Sequence, residues 1–189
     1  MEKNDEMISL EQAKAEVGKA VRRLALLHLA FAETIVKEMG EEAGKALIVK
    51  AMKNYGMKIG GKARQEALEK GLPLTPETYS KVPGEGLPAF GTHSSIEYRE
   101  KNGEMVVRAK DCLWAKVWKE YGGEELGRLY CLVDPAQFMS FNPETKFVHL
   151  KTIPDGDDCC ELVFRATTEQ ERKDFEEDGD WSYMDFNQK

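Results

Sequence analysis

The apolar residues of this chain change their spacing part-way along, and that change constrains the fold more than any other feature. Up to about residue 70 they recur every three or four positions, and from about residue 93 the period falls to two. Ser9 and Gln12 make a capping-box pair ahead of a stripe through Leu10, Ala13, Val17, Val21, Leu24, His28, Phe31, Ile35 and Met39. This predicts a helix ending at Gly40. Glu41 and Glu42 suit the start of a second helix, with Leu47, Ala51, Tyr55, Ile59 and Ala63 as its stripe and Gly71 beyond its end. So short a link predicts that the two helices pack antiparallel.

Thr75-Pro76-Glu77 has the form of a capped helical turn, and 82–88 is too rich in Pro and Gly for a regular element. Strands are then expected at 93–100, 104–110, 146–153 and 160–166. Lys101-Asn102-Gly103 turns the first into the second, and Pro154-Asp155-Gly156-Asp157 turns the third into the fourth. Between the hairpins, Trp114, Val117, Trp118 and Tyr121 share a helical face, and a further helix is expected over 124–139. The fold class is therefore α+β, with two long N-terminal helices packed with further helices on an antiparallel sheet of about four strands. Residues 1–168 are expected to form a single domain, followed by an acidic tail at 169–189. Thr168 with Glu171 can cap a short helix in that tail, and Trp181, Tyr183 and Phe186 can dock it.

The formal net charge is −7, of which −5 sits in the tail, so the rest is close to neutral. The chain lacks the basic patch that a nucleic-acid partner would need. No apolar run approaches the length of a membrane span, and Met1 to Glu6 is polar and acidic, unlike a signal peptide. The expected location is cytoplasmic, with no membrane partner and with Cys112, Cys131, Cys159 and Cys160 as thiols or ligands rather than disulfides. Nothing in the sequence sets the oligomeric state.

Several patterns bear on chemistry. Gly56-x-x-x-x-Gly61-Lys62 has the outline of a phosphate-binding loop, but Ala63 stands where Ser or Thr would hold magnesium and no strand precedes it. Gly56 and Gly60, four apart, instead predict close approach of another helix. His28 lies on the apolar stripe, either as a structural histidine or at the floor of a pocket. Cys112 follows Asp111 at a helix start, where the helix dipole favours thiolate, although buried cysteines more often act as small hydrophobes. Arg128, Cys131 and Asp134, spaced by three, share a face that can present a thiol beside an acid and pair a guanidinium with a carboxylate.

Four blocks then carry a resemblance: Cys112; Leu126-Gly127-x-x-Tyr130-Cys131-x-x-Asp134; Phe141-Asn142-Pro143; and Lys151-Thr152-x-x-x-Gly156-Asp157-x-x-Cys160 with Phe164 beyond. Over roughly residues 20 to 166 the chain resembles the L-2-amino-thiazoline-4-carboxylate hydrolase family. Leu113 departs from a frequent family proline, and Cys159 is additional. The resemblance implies hydrolytic opening of a cyclic amidine to an N-carbamoyl amino acid, with a small carboxylate as substrate and no cofactor. The residues it carries over are Cys112, Cys131, Asp134, Asp157 and Cys160. Cys131 or Cys160 is the expected nucleophile, Asp134 or Asp157 the group that orients water or moves a proton, and Arg128 the partner of the substrate carboxylate, with His149 and His28 as further substrate contacts. The Gly156-Asp157-x-x-Cys160 close, followed by Leu162 and Phe164, is also similar to the 4-vinyl-reductase-type ligand-binding domain. That likeness implies a small-molecule-binding or sensor module, with zinc held by Cys112, Cys131, Cys160 and His149 as the alternative cofactor.

Overall fold

The computed structural model describes residues 7–82, 87–88, 90–177 and 179–185. Most of the expected loop, at 83–86, and the docking of Phe186 lie outside the described residues. The first helix, α1, spans Leu10–Met39, and the expected capping box is present: Ser9 Oγ accepts from the Gln12 backbone N–H at 3.1 Å while Gln12 Oε1 accepts from that of Ser9. Gly40 alone separates it from α2, Glu41–Glu69. Their buried faces differ in detail from the predicted stripes. In α1 the buried face runs through Val21, Ala25, His28, Leu29 and Ala32, leaving Phe31 and Met39 exposed. In α2 it runs through Gly44, Ile48, Gly56, Ile59, Gly60, Ala63 and Ala67, with Leu47 exposed. Small residues let the backbones come close, so they rather than the bulky apolar ones mark the packing faces.

A short helix α3, Pro76–Tyr79, is capped by Thr75. The sheet has four antiparallel strands in the order β1-β2-β4-β3, namely β1 Ser95–Lys101, β2 Glu104–Lys110, β3 Thr145–Lys151 and β4 Cys160–Ala166. Asn102 and Gly103 both take positive φ in the first hairpin turn, which a right-twisted two-strand ribbon favours. β3 stops two residues before its expected end because Thr152 caps a 3₁₀ turn at Ile153–Asp155, where Pro154 cannot donate to a ladder. Between the hairpins come α4, Leu113–Glu120, α5, Glu124–Arg128, and α6, Val133–Phe141.

The helix expected over 124–139 is thus broken by a 3₁₀ segment, Leu129–Leu132. Pro135 is the physical reason: it has no N–H and its ring would press on the carbonyl of Cys131 in a continuous α-helix. Val148 and Val163, paired across β3 and β4, face a core of Ala32, Ile48, Leu129, Leu132, Ala136, Met139, Phe175 and Trp181. The alternate residues Phe147 and Phe164 stack on one another at 4.2 Å and meet Phe138 of α6 edge-on. Beyond the sheet, α7, Glu169–Glu176, begins with a capping box of Thr168 and Glu171. Glu171 also pairs with Lys146 of β3, and Trp181 and Met184 enter the main core.

Candidate active site

The broken helix sets the geometry of the site. In a 3₁₀ turn side chains three apart eclipse one another, so the insertion keeps Arg128, Cys131 and Asp134 stacked although no single α-helix carries them. Gly127 permits the turn before them, since a Cβ there would lie 2.3 Å from the Trp118 ring. Asp134 is partly open, with 27% of its side chain exposed. Its Oδ1 accepts from Gln137 Nε2 at 3.1 Å, and Gln137 Oε1 in turn accepts from Tyr79 Oη at 3.1 Å. Its Oδ2 faces His149 Nε2 at 3.8 Å.

His149 is buried on β3, at the point where the register with β4 shifts. Asp185, fully buried in the C-terminal segment, takes the His149 backbone N–H at 2.8 Å and sits 2.9 Å from its Nδ1 with the same Oδ1. Asp185 Oδ2 accepts from Arg128 Nη1 at 2.8 Å, and the Asp185 carbonyl accepts from Nη2 at 3.0 Å. Arg128 Nε donates to Asp155 at 3.0 Å. The substrate contact expected of Arg128 therefore meets a guanidinium that is 4% exposed and already engaged by two acids and a carbonyl.

These charges set the ionisation of the group. Burial pushes Asp134 up to about 6, with Asp185 adding to the rise and His149 and Arg128 opposing it. Burial disfavours the charged His149 ring, yet the Asp185 and Asp134 carboxylates outweigh it and the ring titrates above its ordinary value. Asp185 is likewise penalised by burial, but His149 and Arg128 hold it below the usual carboxylate range.

Three cysteines gather near this pair. Cys112 and Cys131 pack against the buried cluster of Ala25, Leu29, Ala115, Val117 and Trp118, and Cys112 also packs against the cluster that holds Cys160, Ala109 and Leu162. Cys112 caps α4 as expected, after Asp111 in a left-handed turn closed by Ser94 Oγ at 2.6 Å. Burial nevertheless raises its thiol and outweighs the helix-terminal amides of Ala115 and Trp114, so the thiolate expected from the helix dipole is not favoured. Burial also raises Cys131 well above the ordinary thiol and pushes Cys160 up to about 12. Cys159 points elsewhere, accepting from Arg108 Nε at 3.2 Å. Asp157 is used by the turn, where its Oδ2 accepts from the Thr152 backbone N–H at 2.9 Å.

Among the described residues no group of three or more His, Cys, Asp or Glu side chains is arranged to hold a metal ion, so the alternative zinc set of Cys112, Cys131, Cys160 and His149 finds no support in this geometry. His28 is structural in its contacts: its Nε2 lies 3.0 Å from the Leu126 carbonyl and its ring packs on Trp118 and Tyr130. A cavity of about 560 Å³ opens near the start of α4, lined by His93, Ser94, Asp111, Leu113, Lys116 and Lys14 among others, but none of Cys131, Asp134 and His149 lines it.

Sequence reasoning missed Gln137, Tyr79 and above all Asp185. Tyr79 carried no local pattern, Gln137 stood three residues after Asp134, and Asp185 was one of eight acids in the tail.

Residues 19–164 match the family model described as L-2-amino-thiazoline-4-carboxylic acid hydrolase. No curated protein and no solved structure shows a match.

Proposed function

The chain belongs to the L-2-amino-thiazoline-4-carboxylic acid hydrolase family, and from that premise we propose that it opens a cyclic amidine ring, 2-amino-thiazoline-4-carboxylate or a close relative, to the N-carbamoyl amino acid. The observation that carries this reading is the pair of Asp134, a partly open carboxyl pushed up to about 6, and His149, a buried ring 3.8 Å away whose titration two carboxylates raise against burial. A partly open carboxylate facing an imidazole at 3.8 Å puts a proton acceptor and a proton donor side by side, as a base and an acid require.

Asp134 takes a proton from water as the oxygen adds to the ring carbon between nitrogen and sulfur. The C–S bond then breaks, its electron pair leaves on sulfur, and His149 supplies the proton that makes the departing group a thiol. Of the two water protons, one ends on the former ring nitrogen and the other replaces that given by His149. The thiols of Cys112, Cys131 and Cys160 stay protonated near neutral pH, which favours direct attack by water over a cysteine nucleophile. They line an apolar neighbourhood in which the charges of the pair are poorly screened.

The test is to incubate the full chain with the thiazoline carboxylate and a panel of related cyclic amidines, following the gain of one water by mass and release of thiol. Turnover is expected, and Asp134→Asn should lower it by about 100-fold or more, the usual range for a lost general base. A folded wild-type protein that binds these compounds without converting any of them would make the site a small-molecule-binding module instead.

A further inference from the structure

We propose that Asp185, in the C-terminal segment beyond the family match, is a positioning residue that fixes the tautomer and orientation of His149 and so completes the acid–base pair. The inference rests on the reading of Asp134 and His149 given above. The family match ends at residue 164, whereas Asp185 is reached only after α7. Its carboxylate accepts from both the backbone N–H and the ring Nδ1 side of one histidine, at 2.8 and 2.9 Å. Two contacts from one oxygen to the same residue hold the ring as well as its backbone, and they direct Nε2 to Asp134.

A tail that merely covered the core would need only its apolar residues. Trp181 and Met184 already serve that purpose. A fully buried carboxylate is costly unless each lone pair is used, and here His149 and Arg128 use them. The groups facing His149 are Asp185 from the C-terminal segment, Asp134 from α6 and Arg128 from α5. The two acids raise its titration, and Arg128 opposes them. With Nδ1–H committed to Asp185, the proton that leaves is the one on Nε2, toward Asp134 and the substrate side.

The experiment begins with the intact wild-type chain labelled with ¹⁵N-histidine. His28 and His93, whose rings are both held below the ordinary value by burial, act as internal standards and are assigned by single His→Gln variants. The expected result is that His149 titrates last and, when neutral, carries its proton on Nδ1. An Nε2–H tautomer would overturn the inference without any variant having to fold. In Asp185→Asn, the His149 titration should fall by about one unit or more, and the alkaline limb of the pH–rate profile should move down with it. Turnover should drop by about 100-fold with KM changed less than about threefold, because orientation rather than binding is lost. A proportional loss with an unmoved pH limb would reduce Asp185 to a structural tether. If the wild-type chain shows the expected tautomer yet converts no cyclic amidine, the proposed reaction falls while the positioning role stands.

Discussion

At the scale of single residues, burial raises the thiols of Cys112, Cys131 and Cys160 above the ordinary value, which bears on whether any of them attacks the substrate. A thiolate needs a positive neighbour and access to water, and burial removes the second. Cys131 has Arg128 beside it, and that guanidinium favours the thiolate, but burial outweighs it and Cys112, Asp134 and Asp185 add to the rise. Cys131→Ser and Cys160→Ser, made separately, should each retain turnover within about tenfold of wild type, since neither sulfur forms a bond to substrate in the water mechanism. Loss of about 10⁴-fold in either one, with the fold intact by circular dichroism, would restore a nucleophilic thiol. Native alkylation by iodoacetamide near neutral pH gives an independent reading, and it should be slow at Cys112, Cys131 and Cys160 compared with the unfolded chain, because their thiols are raised.

At the scale of elements, α2 and α6 determine how the site is held. A Cβ on Gly60 would lie 1.9 Å from the Gln137 carbonyl oxygen, and one on Gly56 would lie 2.5 Å from the Ala136 Cβ. The same Gln137 donates to Asp134, so this helix contact supports the base. Gly60→Ala gains about 1 kcal/mol of helix propensity, but the clash is with backbone and no rotamer relieves it. The expected net loss is about 2 kcal/mol or more, a fall in Tm of about 4–8 °C, accompanied by reduced turnover. Gly61→Ala is the control: its Cβ would meet only Ser140 Oγ at 3.7 Å, so Tm should hold or rise by about 2 °C. Equal Tm for the two variants would refute the close-packing account.

Local elements of this kind were legible because their signals are local. Ser9 with Gln12, Thr168 with Glu171 and Asn102-Gly103 act within four residues, and the glycine pair of α2 announced a close helix. The break at Leu129–Leu132 was legible in principle through Pro135, though apolar periodicity alone ran straight across it. The Arg128, Cys131 and Asp134 stack survived that error because both helix types bring residues three apart together. Asp185 was out of reach, since its contacts to His149 and Arg128 span 36 and 57 residues and nothing local separates it from the other acids of the tail.

At the scale of the whole molecule, the −7 net charge and the buried acid–histidine–arginine network both bear on stability against pH, and they can be told apart. Asp185 is depressed, so its share of stability is present above the unfolded value of about 3.9 and is lost as pH falls through its folded value. His149 is raised, so its share is present below about 6.5 and is lost as pH rises through its folded value. Asp134 is raised to about 6, so ionising it costs stability as pH climbs from about 4 through that value. Asp134 and His149 thus make Tm fall as pH rises from the acidic side through their titrations, and the raised thiols add to the fall as pH nears 9. Self-repulsion of the surface points the same way, because the sequence pI is near 5.2 and the chain becomes steadily more negative above it. Salt separates the causes. Surface repulsion is screened within about 3 Å at 1 M ionic strength, while ion pairs buried in the protein are screened far less. Tm measured from pH 4 to 9 at low and at 1 M salt should therefore keep its alkaline decline in wild type. In Asp185→Asn the part of that decline above about pH 6.5 should shrink at high salt, since the carboxylate that most raises His149 is gone, while the part that belongs to Asp134 should stay. A wild-type curve that becomes level at 1 M salt would assign the pH dependence to the surface and leave the buried network without a measurable part in it.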